Sequence, residues 1–510
     1  MMFTFKRLLA AGLVCSTMLM PTWVEAKTLT VAVPVNLTKL DPTNINDTLT
    51  MTSLRTIYQG LLAFDKDLNI VPLLAERYEA SNDAKEFTFY LRKGVKFHDG
   101  TDFNAKAVKI NLERLANSDN KLSRRVLVSM LDHVEIVDDY TVKVHLKEPY
   151  GAFASSIAHT GTMMISPAAL EKYGKDIDRH PVGTGPFVYK NRTSDTLEVV
   201  RNEHYWNGKV GVDGVVIRSV PESGARFAML QAGEVQFVPD FPPELFHVAE
   251  KMPNIVVSKE PSIAEYYVAI NTMRKPFDDV RVRQAMNYAV DKDAFCKVVM
   301  NGFCEPATSP IPPLLKYYTN VGQYKYNVEK AKELLKEAGY PNGFDTEIFG
   351  KNSTMVIRGL QFLQQQLGAV NIKVSVTPLE AGVEADRVWG ARTPEESTVK
   401  MQFGGWSAST GDADYGLRPL FASESFPPNL YNVAYYKNDE VDKDLADAVK
   451  TADDKTRAAL YAKAQKIIFA DAPWIFLGQN NILSGRAKNL HGVVTLPDGG
   501  FLLQDANFSD

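Results

Sequence analysis

The chain has 510 residues, 45% hydrophobic and 23% charged, long enough for two lobes or more and composed like an ordinary globular protein. Its formal charge of −4 gives no basic footprint for nucleic acid or an anionic membrane surface. The eight histidines are scattered without metal-ligand spacing, so no metal and no cofactor is expected.

The first residues read as a leader. Lys6 and Arg7 precede an apolar run from Leu8 to Met20, and Val24-Glu25-Ala26 carries permitted residues at the −3 and −1 positions of a signal-peptidase site. Cys15 sits inside that run behind Val14 rather than a small residue, which argues against a lipid anchor. The run is too short to span a bilayer, and no later stretch approaches about eighteen unbroken apolar residues. Residues 1–26 are therefore expected to be removed near Ala26, leaving an exported, soluble chain. Lys6, Arg7 and Glu25 together contribute +1, so the mature charge is about −5 by the same count.

Residues 28–33 alternate and meet Pro34, which predicts a strand. The loop behind it runs through Asp41-Pro42 and Asn46-Asp47-Thr48 into a helix carrying Met51 and Tyr58. Loops that leave a strand for a helix N-terminus are where open α/β sheets bind small molecules. Capping by Asp47 or Thr48, and core packing by Met51, are the structural roles these residues serve otherwise. Residues 87–105 read as a strand, two glycine turns and a helix capped near Asn104, and residues 133–146 as a hairpin around Asp138-Asp139. The stretch from about 62 to 190 is read as a β-rich insertion.

From Ala269 the pattern changes to α/β alternation: helices over 280–290, 293–300, 328–338 and 355–368, and strands over 344–349, 372–376 and 399–403. The last strand delivers Gly404-Gly405-Trp406-Ser407-Ala408-Ser409-Thr410-Gly411-Asp412-Ala413-Asp414-Tyr415, read as a recognition loop. Its glycines let backbone approach a ligand, its aromatics form walls, and its carboxylates receive an ammonium. Helices over 439–450 and 453–469 are assigned mixed-charge solvated faces, and 473–477 a short buried strand. Crossings near Ala269 and Asn481 are the expected hinge. Cys296 and Cys304, eight positions apart in an exported chain with no neighbouring ligand residues, are read as a structural disulfide.

No His-Glu-x-x-His, Gly-x-Ser-x-Gly or Walker loop is present, and Asp412 and Asp414 have no partner nucleophile, so the chain is not expected to be an enzyme. Residues 75–105 resemble the motif of the large extracytoplasmic solute-binding proteins that serve peptide and nickel ABC transporters. Pro181-Val182-Gly183-Thr184-Gly185-Pro186-Phe187, the stretch 226–235 from Arg226, and Asn271-Thr272 through Ala285 agree with it in order. Within that family the resemblance is to its glutathione-binding members, through Asn46-Asp47-Thr48-Leu49, residues 164–175, Asn352-Ser353-Thr354 and Gly405-Trp406-Ser407-Ala408-Ser409-Thr410-Gly411.

The resemblance implies an α/β, two-lobed periplasmic binding protein with a hinge. Lobe I spans 27–268 with the inserted subdomain about 62–190, lobe II spans 269–481, and residues 482–510 return to lobe I. It implies a monomer in the periplasm that passes glutathione, reduced or oxidised, to inner-membrane ABC permease subunits. Asp412 is then the expected ammonium anchor and Trp406 a wall, with Ser407 and Ser409 beside them. Asn352, Ser353 and Thr354 offer a helix N-terminus to a carboxylate, with Arg124 a second anchor. Asn46, Asp47, Thr48, Met51 and His159 match positions lining the family's cleft. A dipeptide, a short oligopeptide, or haem on His159 are alternative ligands of the same architecture, and an exported hydrolase or chaperone is the alternative of another class.

Overall fold

The computed structural model describes residues 27–37 and 39–509. The expected signal peptide and its cleavage near Ala26 lie outside the described residues.

The hydrophobic pattern builds one large mixed sheet. Among the described residues it has eleven strands, in the order Ile372–Leu379, Phe344–Lys351, Met401–Ser407, Ile255–Ile270, Trp474–Ala487, Phe237–Val238, Thr28–Val33, Gly214–Ser219, Thr196–Arg201 and Phe187–Arg192. Cys304–Pro306 pairs with Trp474–Ala487 off this path. One core packs Leu29, Val31, Ile57, Phe187, Ile217 and Phe237 on the early strands. Another packs Val268, Phe277, Met286, Leu360, Leu363 and Phe403 on the late ones. Each such buried side chain contributes about 1.5–3 kcal/mol.

The two halves are joined by two strands of 16 and 14 residues, about three times the usual length. Residues 255–261 pair antiparallel with 481–487, the ladder breaks between Pro261 and Glu265, and 265–269 resume pairing with 474–479. The short strand expected over 473–477 thus runs on to Ala487. A second sheet of four antiparallel strands lies apart, in the order Ala75–Ala80, Glu86–Leu91, Thr141–Leu146, Leu131–Asp138. It packs Phe87 and Phe89 against the helix Ala105–Ala116, whose cap is Asn104 accepting from the Ala107 amide.

Three local expectations need correction. The helix of Met51 ends at Ser53, a turn of 3₁₀ helix follows over Leu54–Thr56, and Tyr58 lies beyond both. Gly404, Gly405, Trp406 and Ser407 continue the strand Met401–Ser407, paired with residues 264–267, and the loop proper is only five residues. The two glycines make room for protein rather than ligand: a Cβ at Gly404 would lie 2.8 Å from the Tyr267 ring, and one at Gly405 3.1 Å from that of Tyr266. The helix Asp454–Asp471 is not simply solvated, because Arg457, Tyr461 and Gln465 on it are buried. Cys296 and Cys304 are joined by a disulfide.

Candidate functional site

Strands 344–351, 372–379 and 401–407 run parallel or nearly so, and all deliver their carboxyl ends to the same edge of lobe II. On the other side, Thr28–Val33 and Gly214–Ser219 are parallel and send their carboxyl ends toward the loop that caps the helix Thr48–Ser53. Carboxyl ends of parallel strands are the binding edge of an α/β sheet. A cleft of about 480 Å³ opens there, lined among others by Thr48, Asp240, Tyr266, Thr354, Arg358, Asn481 and Asp498.

Of the predicted residues, Thr48 and Thr354 line this cleft. Thr354 opens the 15-residue helix Thr354–Gly368, and its cap Ser353 makes no side-chain cap bond, so the first amides of the helix are free to receive an anion. Asn352 is exposed next to it and donates to Glu380 at 2.6 Å. Trp406 is half-buried, its indole N–H donating to the Tyr415 carbonyl at 2.9 Å, with the rings of Tyr415 and Tyr431 at 5.3 and 5.0 Å. That aromatic corner faces Arg124. The Arg124 guanidinium donates through Nε to the Ile45 carbonyl at 2.7 Å; burial lowers its pKa, while Tyr415, Asp47 and Tyr431 pull the other way. No carboxylate pairs with it directly. Asn46 and Asp47 are exposed on the same rim, and Asp47 caps its helix by accepting from the Thr50 amide at 2.7 Å.

His159 and Ser409 join the lobes. His159 Nδ1 accepts from the Gly161 amide at 2.9 Å, which leaves the proton on Nε2, 3.2 Å from Ser409 Oγ. Burial, reinforced by the nearby Arg124 and Arg55, pushes its pKa down to about 3, so the ring is neutral at physiological pH. With one nitrogen accepting and the other protonated, His159 has no lone pair left for a haem iron.

Two predicted residues do not belong to the cleft. Met51 is 2% exposed, and it packs in the lobe I core with Thr160 Oγ 3.5 Å from its sulfur. Asp412 is 1% exposed and both its oxygens are held by Arg457, at 2.9 and 3.0 Å. It also caps the helix Ala413–Phe421 by accepting from the Asp414 amide. A carboxylate so fully engaged has nothing left for a ligand ammonium. Asp414 is likewise committed, to Arg418 at 2.8 and 2.9 Å and to the Tyr150 hydroxyl at 3.1 Å.

The sequence reading missed other polar groups, of which Asn481 and Arg358 line the cleft. Ser407 Oγ, Asn481 Oδ1, Arg358 Nε, Arg55 Nε and Glu265 Oε1 are all buried with no hydrogen-bond partner in the protein. Each such atom costs about 1–3 kcal/mol in the free protein. Arg55 also lines a smaller cavity of about 260 Å³ with His159, Gln59 and Phe64 behind the cleft. A charged residue interrupting an apolar run, as Arg55 does between Leu54 and Ile57 and Glu265 between Ile263 and Val268, is the signal that could have found them. Among the described residues no cluster of His, Cys, Asp and Glu could hold a metal, and no helix is long and apolar enough to cross a membrane.

The family model described as bacterial extracellular solute-binding proteins, family 5 Middle, matches residues 69–428. The chain is 45% identical over 507 residues to the glutathione-binding protein GsiB of Pectobacterium atrosepticum, covering 99% of this chain and 98% of that protein. It is 45% identical over 507 residues to GsiB of Salmonella choleraesuis, covering 99% of each. Among solved structures it is similar to HbpA2 from Haemophilus parasuis, with a TM-score of 0.84, 29% identity, and 94% of this chain and 100% of that one covered. The periplasmic binding protein DppA from Helicobacter pylori, in complex with the peptide STSA, superimposes with a TM-score of 0.77 at 30% identity over 95% of this chain and 98% of that one. The two-lobed α/β architecture, the edge to which the strands deliver their loops and the match along the chain agree: this protein belongs to the family 5 bacterial extracellular solute-binding proteins.

Proposed function

We propose that the protein captures glutathione, reduced or oxidised, in the periplasm and delivers it to an ABC importer in the inner membrane. The observation that carries this reading is a set of buried polar atoms without a hydrogen-bond partner among the described residues, on the cations Arg55 and Arg358 and the acid Glu265, with Arg124 beside the aromatic corner. Glutathione near neutral pH bears one ammonium and two carboxylates, so it needs one acidic anchor and more than one cationic or N–H anchor. Full-length identity of 45% to glutathione-binding proteins supports the same ligand.

The cycle is hinge closure. Lobe I comprises residues 27–268 and 482–510, lobe II residues 269–481, and the chain crosses between them near Ala269 and Asn481, on the two long paired strands. A ligand shifts the open–closed equilibrium only by touching both lobes differently in the two states. Arg124 and Asp47 on one side, and Trp406, Tyr415 and the amides after Ser353 on the other, supply that contact. The protein acts as an exported soluble monomer, binds without chemistry, and presents its closed form to permease subunits.

The test is calorimetric titration of ligand-stripped mature protein with reduced glutathione, oxidised glutathione, an α-linked dipeptide and haemin. Saturable 1:1 binding of a glutathione form, with no heat from the dipeptide or haemin, is expected. Binding of the dipeptide or haemin with silence from both glutathiones would keep the transport role and overturn the ligand.

A further inference from the structure

Asp412 was the acid that the sequence offered for a ligand ammonium, and the fold has spent it on Arg457. The ligand proposed above still requires an acid. Glu265 is 6% exposed, lies in the middle of one of the two strands that join the lobes, and makes no hydrogen bond or ion pair with the protein. It is the first residue to rejoin the ladder after the break. Its partners in register are Trp406 on one neighbouring strand and Gln479 on the other.

Residues opposite each other across an antiparallel pair project to the same face. Glu265 therefore projects on the side of Trp406, the indole that forms the aromatic corner with Tyr415 and Tyr431. The groups around it are an indole, an amide and, two residues along its own strand, the phenol of Tyr267; no cation acts on it, and burial alone raises its pKa well above the usual carboxylate range. An acid held in that state is poorly accommodated by the ligand-free protein. A donor-rich ammonium placed against the Trp406 face would satisfy the carboxylate.

We propose that Glu265 is the specificity-determining acid of the site, the group that receives the ligand's ammonium at the junction of the lobes. The proposal rests on the glutathione reading. It makes the anchor part of the linking strand, so the ammonium is read at the point about which the lobes move.

The test compares Glu265→Gln with wild type, using glutathione and its des-amino analogue, in which hydrogen replaces the γ-glutamyl amine. Wild type is expected to bind glutathione at least about tenfold more tightly than the analogue, the discrimination of one charge-assisted contact. Glu265→Gln is expected to lose that discrimination, binding both as weakly as wild type binds the analogue. Its ligand-free melting temperature should be unchanged or higher, because a neutral amide replaces a buried, unpaired acid. A merely structural role would lower stability and leave the discrimination in place, and undiminished discrimination in Glu265→Gln overturns the proposal. If wild type binds an α-linked dipeptide and not glutathione, the ligand reading fails by itself, and Glu265 is judged in the same way on the dipeptide with and without its amine. If wild type binds neither, both readings fall.

Discussion

Asp412 and Glu265 are both acids close to the strand of Trp406, both almost fully buried, and the fold treats them in opposite ways. Asp412 is clamped by a bidentate arginine and a helix amide, inside a shell of Tyr317 and Tyr461 rings packed on that arginine. Among the described residues Glu265 has no hydrogen-bond or ion-pair partner. A charge completed by its own protein is part of the architecture, because removing either member leaves the other buried and unpaired. A charge that the protein leaves incomplete at a cleft is available to something that arrives. Proximity to the recognition motif therefore misleads, and the state of satisfaction decides.

The largest effect that could break this contrast is on the completed pair. Arg457→Met strands the Asp412 carboxylate and is expected to cost about 3–5 kcal/mol, lowering the ligand-free melting temperature by about 3–5 degrees for a chain of this length. A melting curve superimposable on wild type would show that the pair is not structural.

On the other side of the contrast, Arg124→Met should reduce glutathione affinity by about tenfold or more, the loss of one charge-assisted contact. Its ligand-free melting temperature should move by no more than a degree or two, since the guanidinium gives the protein only the bond to Ile45. Equal affinity in the variant would remove Arg124 from the site.

His159 sharpens the same distinction through pH. Its folded-state pKa is depressed to about 3 by burial, so below its ordinary value near 6.5 the unfolded chain takes up a proton that the folded chain refuses. Stability contributed by neutral burial is therefore full above pH 6.5 and declines as pH falls toward 3, by up to about 1.4 kcal/mol per unit. His159→Gln should flatten the melting-temperature profile between about pH 6 and 4, whereas parallel profiles would mean that the imidazole opens to water before it titrates.

The smallest effect belongs to Met51, which is core despite its place beside the cleft loop. Met51→Leu conserves volume and should cost less than about 1.5 kcal/mol with affinity within about twofold of wild type. A tenfold loss of affinity would put the thioether in contact with ligand.

Much of the architecture was legible because it is periodic. The strand Thr28–Val33, the hairpin Leu131–Asp138 with Thr141–Leu146, and the helices Val280–Ala289, Val328–Glu337 and Thr354–Gly368 lie within a few residues of where alternation or 3.6-residue spacing puts them. The linking strand was shortened because Gly478-Gln479-Asn480-Asn481 reads as a polar turn. It is polar for another reason: this segment passes under the cleft, where Asn480 and Asn481 line the cavity. The helix N-terminus after Ser353 and the half-buried Trp406 were visible as local signals. The fate of Asp412 was not, since its partner stands 45 positions away on a helix whose charges look solvated. The glycines before Trp406 misled in the same manner, because the rings they accommodate, Tyr266 and Tyr267, belong to a strand more than a hundred residues earlier.

The most direct measurement is glutathione titration of three ligand-stripped proteins, wild type, Arg124→Met and Asp412→Asn, each with its melting temperature. The account predicts a crossed pattern. Arg124→Met melts with wild type and binds at least about tenfold more weakly, while Asp412→Asn melts lower and, held at a temperature where it is folded, binds within about threefold of wild type. Asp412→Asn losing its affinity while melting with wild type would contradict it, and would return the ammonium to the loop where the sequence first placed it.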